Sequence, residues 1–329
     1  MIDYCPEKLL EYVRSGLVEQ EHLGFLVKLS SDGKILKIGD DKNYPIYLRS
    51  CAKPLQASLL IDFGIDEFYD MSPAEIAMCC ASHAGEPCHT DVVQGFLQKI
   101  GLDKSCLKCG FHKPISKSEQ NKLLLSAQCE DILQNNCSGK HSMMLAVCKK
   151  MGWGVSDYDS PSHPLQVAIK NKIYELCRCE RDYPITKDGC GVPILAMPLE
   201  NMLKGYLNLF LDDKYSKIRD SFIQNPYLIG GDDRLDTAIM SANSALIAKV
   251  GAGGLCIVIN LEKKEGIIVK IMDCDMKARA IVLIEALKQL GWFNEEMLKN
   301  DLIIAQNKTD IITLHGEKIG SAICPFRLD

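Results

Sequence analysis

Gly253-Gly254-Leu255-Cys256-Ile257-Val258-Ile259-Asn260 is followed, across a turn-like Glu262 to Gly266, by Ile267-Ile268-Val269-Lys270-Ile271. Two short runs rich in β-branched residues, joined by a polar turn, read as a strand hairpin. The other end of the chain offers it a partner. Phe25 to Leu29 and Ile35 to Ile38 flank Ser30-Ser31-Asp32-Gly33, a second hairpin signal. Between the two the apolar period turns helical, through Leu55 to Phe63, Ala74 to Cys80, Val92 to Ile100, Ser142 to Met151, Leu165 to Cys177 and Asn201 to Phe210. Strands at both ends with helices between predict an α/β (α+β) fold, in which one antiparallel sheet is assembled from both termini and a helical subdomain is inserted after the first hairpin. On this reading 1–329 is a single domain, 1–48 and 250–329 hold the sheet, and 49–249 is mainly helical. Pro6 to Val13 reads as a short opening helix and Lys277 to Leu290 as a long late one. Leu302 to Ala305 and Ile311 to Leu314 read as strands or edges of the same sheet.

Composition narrows the function classes. The chain has 329 residues, 47% hydrophobic and 25% charged, with a formal net charge of −5. That is long enough for a sizeable core, and it carries no basic excess to suggest nucleic acid. Its longest apolar stretches fall far below the roughly 20 residues of a membrane span. Asp3, Glu7, Lys8, Glu11 and Arg14 interrupt the first apolar run, which excludes a secretory core there and predicts a cytoplasmic protein. The 16 cysteines are scattered through periodic segments. Most, including Cys79, Cys80, Cys148, Cys256 and Cys274, read as small buried hydrophobes kept reduced. Cys106-Leu107-Lys108-Cys109 has zinc-ribbon spacing without a second such pair.

Where the helical part begins stands Arg49-Ser50-Cys51-Ala52-Lys53-Pro54-Leu55-Gln56. Residues i and i+3 share a helix face, so Lys53 can reach the Ser50 hydroxyl. A desolvated, neutral lysine could take that proton, the minimum machinery for acyl transfer without histidine. Three more polar blocks interrupt apolar helices: Cys80-Ala81-Ser82-His83-Ala84-Gly85-Glu86, Asn135-Asn136-Cys137-Ser138-Gly139-Lys140-His141 and Asp188-Gly189-Cys190-Gly191-Val192-Pro193. With Gly231-Asp232-Asp233-Arg234-Leu235-Asp236-Thr237, Ala248-Lys249-Val250-Gly251-Ala252 and Val269-Lys270-Ile271, they resemble in order the motifs of the Rhizobium etli type L-asparaginases, often called the asparaginase II family.

The resemblance implies a serine β-lactamase or penicillin-binding type of fold, a homodimer, and hydrolysis of the side-chain amide of L-asparagine. It implies Ser50 as nucleophile with Lys53 as base, and a second serine and lysine that map to Ser82 and Lys270. It also implies zinc held by Cys137, Lys140 and Cys190, supporting substrate binding more than chemistry. Arg49 is the natural clamp for a substrate carboxylate, its planar fork matching that group bidentately. His83, Asn136 and Asp188 complete the expected substrate-binding set, and His141 could brace the metal loop. Where relatives show Lys-x-Gly-Ala-Glu-Gly, this chain has Lys249-Val250-Gly251-Ala252-Gly253-Gly254, which removes one anchor for the substrate amine. The runner-up activity is a β-lactamase or penicillin-binding type acyl hydrolase, with Lys249-Val250-Gly251 as its Lys-x-Gly strand. A zinc-binding regulatory protein is the non-enzymatic alternative. The Thr-Gly-Gly-Thr block of other bacterial asparaginases is absent.

Overall fold

A computed structural model describes residues 4–41 and 44–328, so Asp3 lies outside the described residues. Its strands are β1 (Glu7–Arg14), β2 (Leu17–Ser30), β3 (Ile35–Ile38), β4 (Ile46–Tyr47), β5 (Ile185–Lys187), β6 (Pro193–Met197), β7 (Leu246–Gly251), β8 (Leu255–Asn260), β9 (Glu265–Ile271), β10 (Asp310–Ile312) and β11 (Lys318–Ile323). The large sheet runs β10-β11-β1-β2-β9-β8-β7, with β3 also paired to β2, and its pairs are antiparallel. Strands from both ends of the chain therefore build one sheet, as the two hairpin signals predict. The junction is β2 on β9, where Phe25 opposes Lys270 and Val27 opposes Ile268. A second, three-stranded sheet, β4-β6-β5, lies within the helical region, and β7 straddles the 249/250 boundary drawn from sequence.

Two expectations are corrected. Pro6 to Val13 is not a helix: Glu7–Arg14 is a strand between β11 and β2. A register shift between Lys8 and Leu10 lets the adjacent Leu9 and Leu10 both be fully buried, which breaks the period of two that would have marked a strand. Leu302 to Ala305 is a helical turn within Asp301–Gln306, opened by Asn300, whose side chain accepts from the Leu302 N–H.

Helices cover both faces of the sheet. Leu199–Leu211 packs on β9, β2 and β8 from the side of the helical region, and Met276–Gln289 packs on β9, β1 and β8. On the first side the sheet lacks side chains where contact is closest: a Cβ on Gly266 would come within 3.0 Å of Leu203 Cδ2, and one on Gly251 within 3.0 Å of Cys51 Sγ. At the middle of the helical region is Ala52–Asp62, buried without interruption from Ala52 to Leu60. Neighbouring helices surround it, so it is apolar around most of its circumference. Pro54 falls in its first turn, where no N–H is needed. Lys53 enters that interior with the apolar residues. No helix among the described residues is long and apolar enough to cross a membrane.

Candidate active site

Four segments converge on the start of the central helix. The first is the helix start itself: a 3-10 turn, Arg49–Cys51, is tied to β6 through Leu48 N–H to Leu195 O and to β7 through Cys51 Sγ to Lys249 O. Arg49 there holds a left-handed backbone, φ 48°. The second is the loop after Pro73–Cys80, where Ser82 N–H donates to Ile229 O. The third is the entry to the helix Ser138–Met151, and the fourth is the tight turn between β5 and β6, in which Gly191 takes φ 90°.

Lys53 is the hub. Its Nζ lies 2.7 Å from Ala81 O, 2.8 Å from Asn136 O and 2.9 Å from Ser82 Oγ. Burial pushes this amine down to about 8; Cys137 opposes the shift, and Lys140 and Lys249 add to it. A neutral amine keeps two N–H bonds and one lone pair. Two carbonyls occupy the N–H bonds, so the lone pair is left for the Ser82 hydroxyl. Ser50, predicted as the partner of Lys53, is half-buried and has no side-chain hydrogen bond among the described residues. The structure thus couples Lys53 to Ser82 and leaves the Ser50 hydroxyl, three residues before Lys53, without a partner among the described residues.

The expected metal ligands do come together. Cys137, Lys140 and Cys190 are all buried, and Lys140 Nζ lies 2.9 Å from Cys190 Sγ and 4.0 Å from Asp188 Oδ2. A hydrogen bond from Cys190, assisted by the charges of Lys53 and Lys140 against the effect of burial, holds the Cys137 thiol well below its ordinary value. Burial opposes the charge on Lys140, yet Cys137, Cys190 and Asp188 outweigh it and raise the amine. Asn136 joins this cluster to the serine-lysine pair: its carbonyl takes the Lys53 amine, and its side-chain oxygen lies 3.3 Å from Cys137 Sγ. A close approach joins them again, because a Cβ on Gly139 would lie 2.2 Å from Met78 O. The helix carrying Lys140 is therefore pressed against the helix that leads to Ser82.

Arg49 Nε donates to Asp188 Oδ1 at 2.9 Å, which leaves the two terminal nitrogens of the guanidinium free among the described residues. Burial works against the Asp188 charge, but Lys140, the Gly189 N–H and Arg49 hold the carboxyl below its usual range. His83 and His141 are fully buried, and burial keeps both rings neutral. His83 accepts from Gly85 N–H at Nδ1, so Nε2 donates to Ser138 Oγ at 2.9 Å. His141 meets Tyr158 OH at 2.7 Å. These rings brace the loop containing Cys137.

Lys270 lies apart. The register aligns Lys249 with Ile257 and Ile257 with Ile268, which puts Lys270 on the same sheet face as Lys249, two strands away. Its Nζ turns to Gly253 O and Ile271 O, both at 2.7 Å, and to Cys274 Sγ at 3.8 Å. None of these hydrogen bonds reaches Ser82. Gly253 and Gly254, at φ 77° and 72°, form the tight β7–β8 turn, a backbone that a glutamate at 253 would adopt only with strain. The lysine near the site is Lys249: fully buried, 3.5 Å from Asp236 Oδ2, and close enough to Lys53 to depress its basicity. A lysine amid Leu246-Ile247-Ala248 and Val250 was the available signal. Lys270→Met is accordingly expected to change kcat less than about threefold, whereas Lys249→Met lowers it by about tenfold or more, the range of a lost charged contact; steady-state assays of both variants check this.

Cys109 is buried, and burial pushes its thiol up to about 12, while Cys106 is half-buried. A different group, Glu86, Cys88 and His89, brings one ligand atom each within 4.8 Å of one another and could hold a metal ion. Its polar atoms already have partners: Tyr227 OH donates to Glu86 Oε2 at 2.6 Å, and His89 Nδ1 accepts from Glu86 N–H at 3.3 Å.

No curated protein matches the chain. A family model does, over residues 10–323, which take in every segment of the site, and its description is L-asparaginase II. The chain belongs to the L-asparaginase II family, and is an amidohydrolase.

Proposed function

We propose that the protein hydrolyses L-asparagine to L-aspartate and ammonia on a Ser50, Ser82 and Lys53 relay, within a β-lactamase-like arrangement of sheet and helical region. Family membership implies the asparaginase activity. The observation that carries the mechanism is the Lys53 amine fixed by two carbonyls with Ser82 as its third partner. Ser50 attacks the side-chain carbonyl carbon of the substrate. Its proton passes to Ser82 Oγ as the Ser82 proton passes to Lys53. The charged Lys53 then returns a proton to the amide nitrogen, which leaves as ammonia, and water cleaves the acyl-enzyme ester by the same route. The free terminal nitrogens of Arg49 take the substrate carboxylate, Asp188 takes its amine, and Asn136 and His83 hold the surrounding loops.

Purified enzyme should release ammonia from asparagine and much less from glutamine, whose extra methylene misplaces the amide. The rate should rise with pH through about 8 and level off above it, because Lys53 acts neutral and burial sets that value. A β-lactam hydrolysed in preference to asparagine, or a rate independent of pH, overturns the proposal.

Cys137, Lys140 and Cys190 have the donor chemistry for zinc: one thiol already biased to thiolate, a second thiol, and an amine beside it. Zinc bound there would supply positive charge and an open position to orient the substrate. Lys140 must lose a proton to coordinate, so zinc affinity should rise with pH. Elemental analysis should find about one zinc per chain, lost in Cys190→Ala, while chelation leaves the protein folded. Zinc retained in full by Cys190→Ala would locate the ligands elsewhere. The same reading takes the enzyme as a cytoplasmic homodimer.

A further inference from the structure

A cavity of about 470 Å³ opens where the helix Leu235–Ala242, the first turn of Met276–Gln289 and the helix Asp301–Gln306 meet. Lys117, Arg234, Lys277, Arg279 and Lys308 line it, against one carboxylate, Asp233. None of the residues assigned above to catalysis or to zinc lines it. What marks the cavity is that five cations share its wall; elsewhere many are ion-paired. Lys28, Lys172 and Lys204, for example, each sit within 2.8 Å of a carboxylate. Lys117, Arg234 and Lys308 make no ion pair among the described residues, although the charge of Arg234 helps to hold the buried Asp236 carboxylate ionised. Lys277 rests 5.3 Å over the Tyr12 ring. Asp233 accepts from Gln306 Nε2 at 3.0 Å and neutralises none of them.

The innermost cation gives a second, independent observation. Arg279 is only 4% exposed, donates from Nη1 to Gly251 O and Leu255 O at 3.1 and 3.3 Å, and leaves its buried Nε without a partner. An unmet buried donor of a charged group is costly, and like charges gathered around one cavity add repulsion. An anion in the cavity would relieve the repulsion and meet the Arg279 guanidinium that lines it. Several charges converging on a small volume call for a ligand that concentrates negative charge and offers many acceptor oxygens. We propose that this cavity binds a compact polyphosphate group, either free or carried by a nucleotide.

Titration calorimetry of the full chain at low salt, with sodium tripolyphosphate, ATP and citrate, tests this. Tripolyphosphate and ATP should both bind, and the double variant Lys117→Ala/Lys308→Ala, which alters exposed side chains, should weaken them by about tenfold or more, the effect of losing charge-assisted contacts. Equal affinities would identify the phosphate chain alone as the ligand; ATP binding at least tenfold tighter would identify a nucleotide. Absence of binding at millimolar concentration, citrate binding as tightly as tripolyphosphate, or full affinity in the double variant would each overturn the proposal.

Discussion

Lys53→Met is expected to lower kcat/KM for asparagine by about a thousandfold or more, since the base supplies acid and base help in both half-reactions. Ser50→Ala and Ser82→Ala should fall in the same range. The double variant Lys53→Met/Ser82→Ala should be scarcely worse than Lys53→Met alone, because groups that pass one proton between them fail together. The comparison is informative because the Lys53 amine hydrogen-bonds to Ser82 and not to Ser50. Mass analysis of enzyme quenched during turnover should find the aspartyl ester on the peptide containing Ser50. An ester on the peptide containing Ser82, or a Ser50→Ala variant with most of its activity, would make Ser82 the nucleophile.

Asp236→Asn is expected to destabilise the fold by about 3–5 kcal/mol, the usual cost of leaving one member of a buried ion pair unpartnered. Asp236 and Lys249 are both fully buried, and Asp236 Oδ2 also accepts from the Val250 N–H at 3.3 Å. Burial opposes the carboxylate, while Lys249, Arg234 and the Val250 N–H hold it ionised. Removing the acid strands the Lys249 ammonium between β7 and the helix Leu235–Ala242. Adding Lys249→Met should return part of the loss, since the buried charge is then gone as well. Urea unfolding of the three proteins measures both effects. An Asp236→Asn midpoint equal to that of the parent would show that the pair is not what holds this region.

The sheet was legible where its strands kept apolar runs between turn residues, as β8, β9 and β3 do. It was illegible where tertiary pairing overrode local pattern. The bulge at Lys8 to Leu10 made β1 resemble a helix. β11, Lys-Ile-Gly-Ser-Ala-Ile, carries too little apolar character to stand out, and its pairing with β1 and β10 alone defines it. For the site, the ordered polar blocks located the neighbourhood, and Cys137, Lys140 and Cys190 assembled as their motifs implied. Helical spacing misjudged the partner of Lys53, because i+3 geometry says that Ser50 can be reached and not that it is. The long side chain instead runs to carbonyls of two loops far along the chain. Lys249 and Lys270 look alike as lysines in apolar strands. Only the register and the turn at Gly253 and Gly254 separate the one near the site from the one whose amine caps the end of a strand.

The contact of Gly139 with Met78 O also bears on attempts to redesign this enzyme. With 2.2 Å to a backbone oxygen, even alanine at 139 must push two helices apart. One of those helices delivers Lys140 and the other delivers Ser82. Substitution at 139 will therefore disturb the Lys140 side and the Ser82 side of the site together. Independent tuning requires keeping glycine at 139 and drawing diversity from the β5–β6 turn with Asp188 and Cys190 held fixed, since their side chains tie that turn to Arg49 and Lys140.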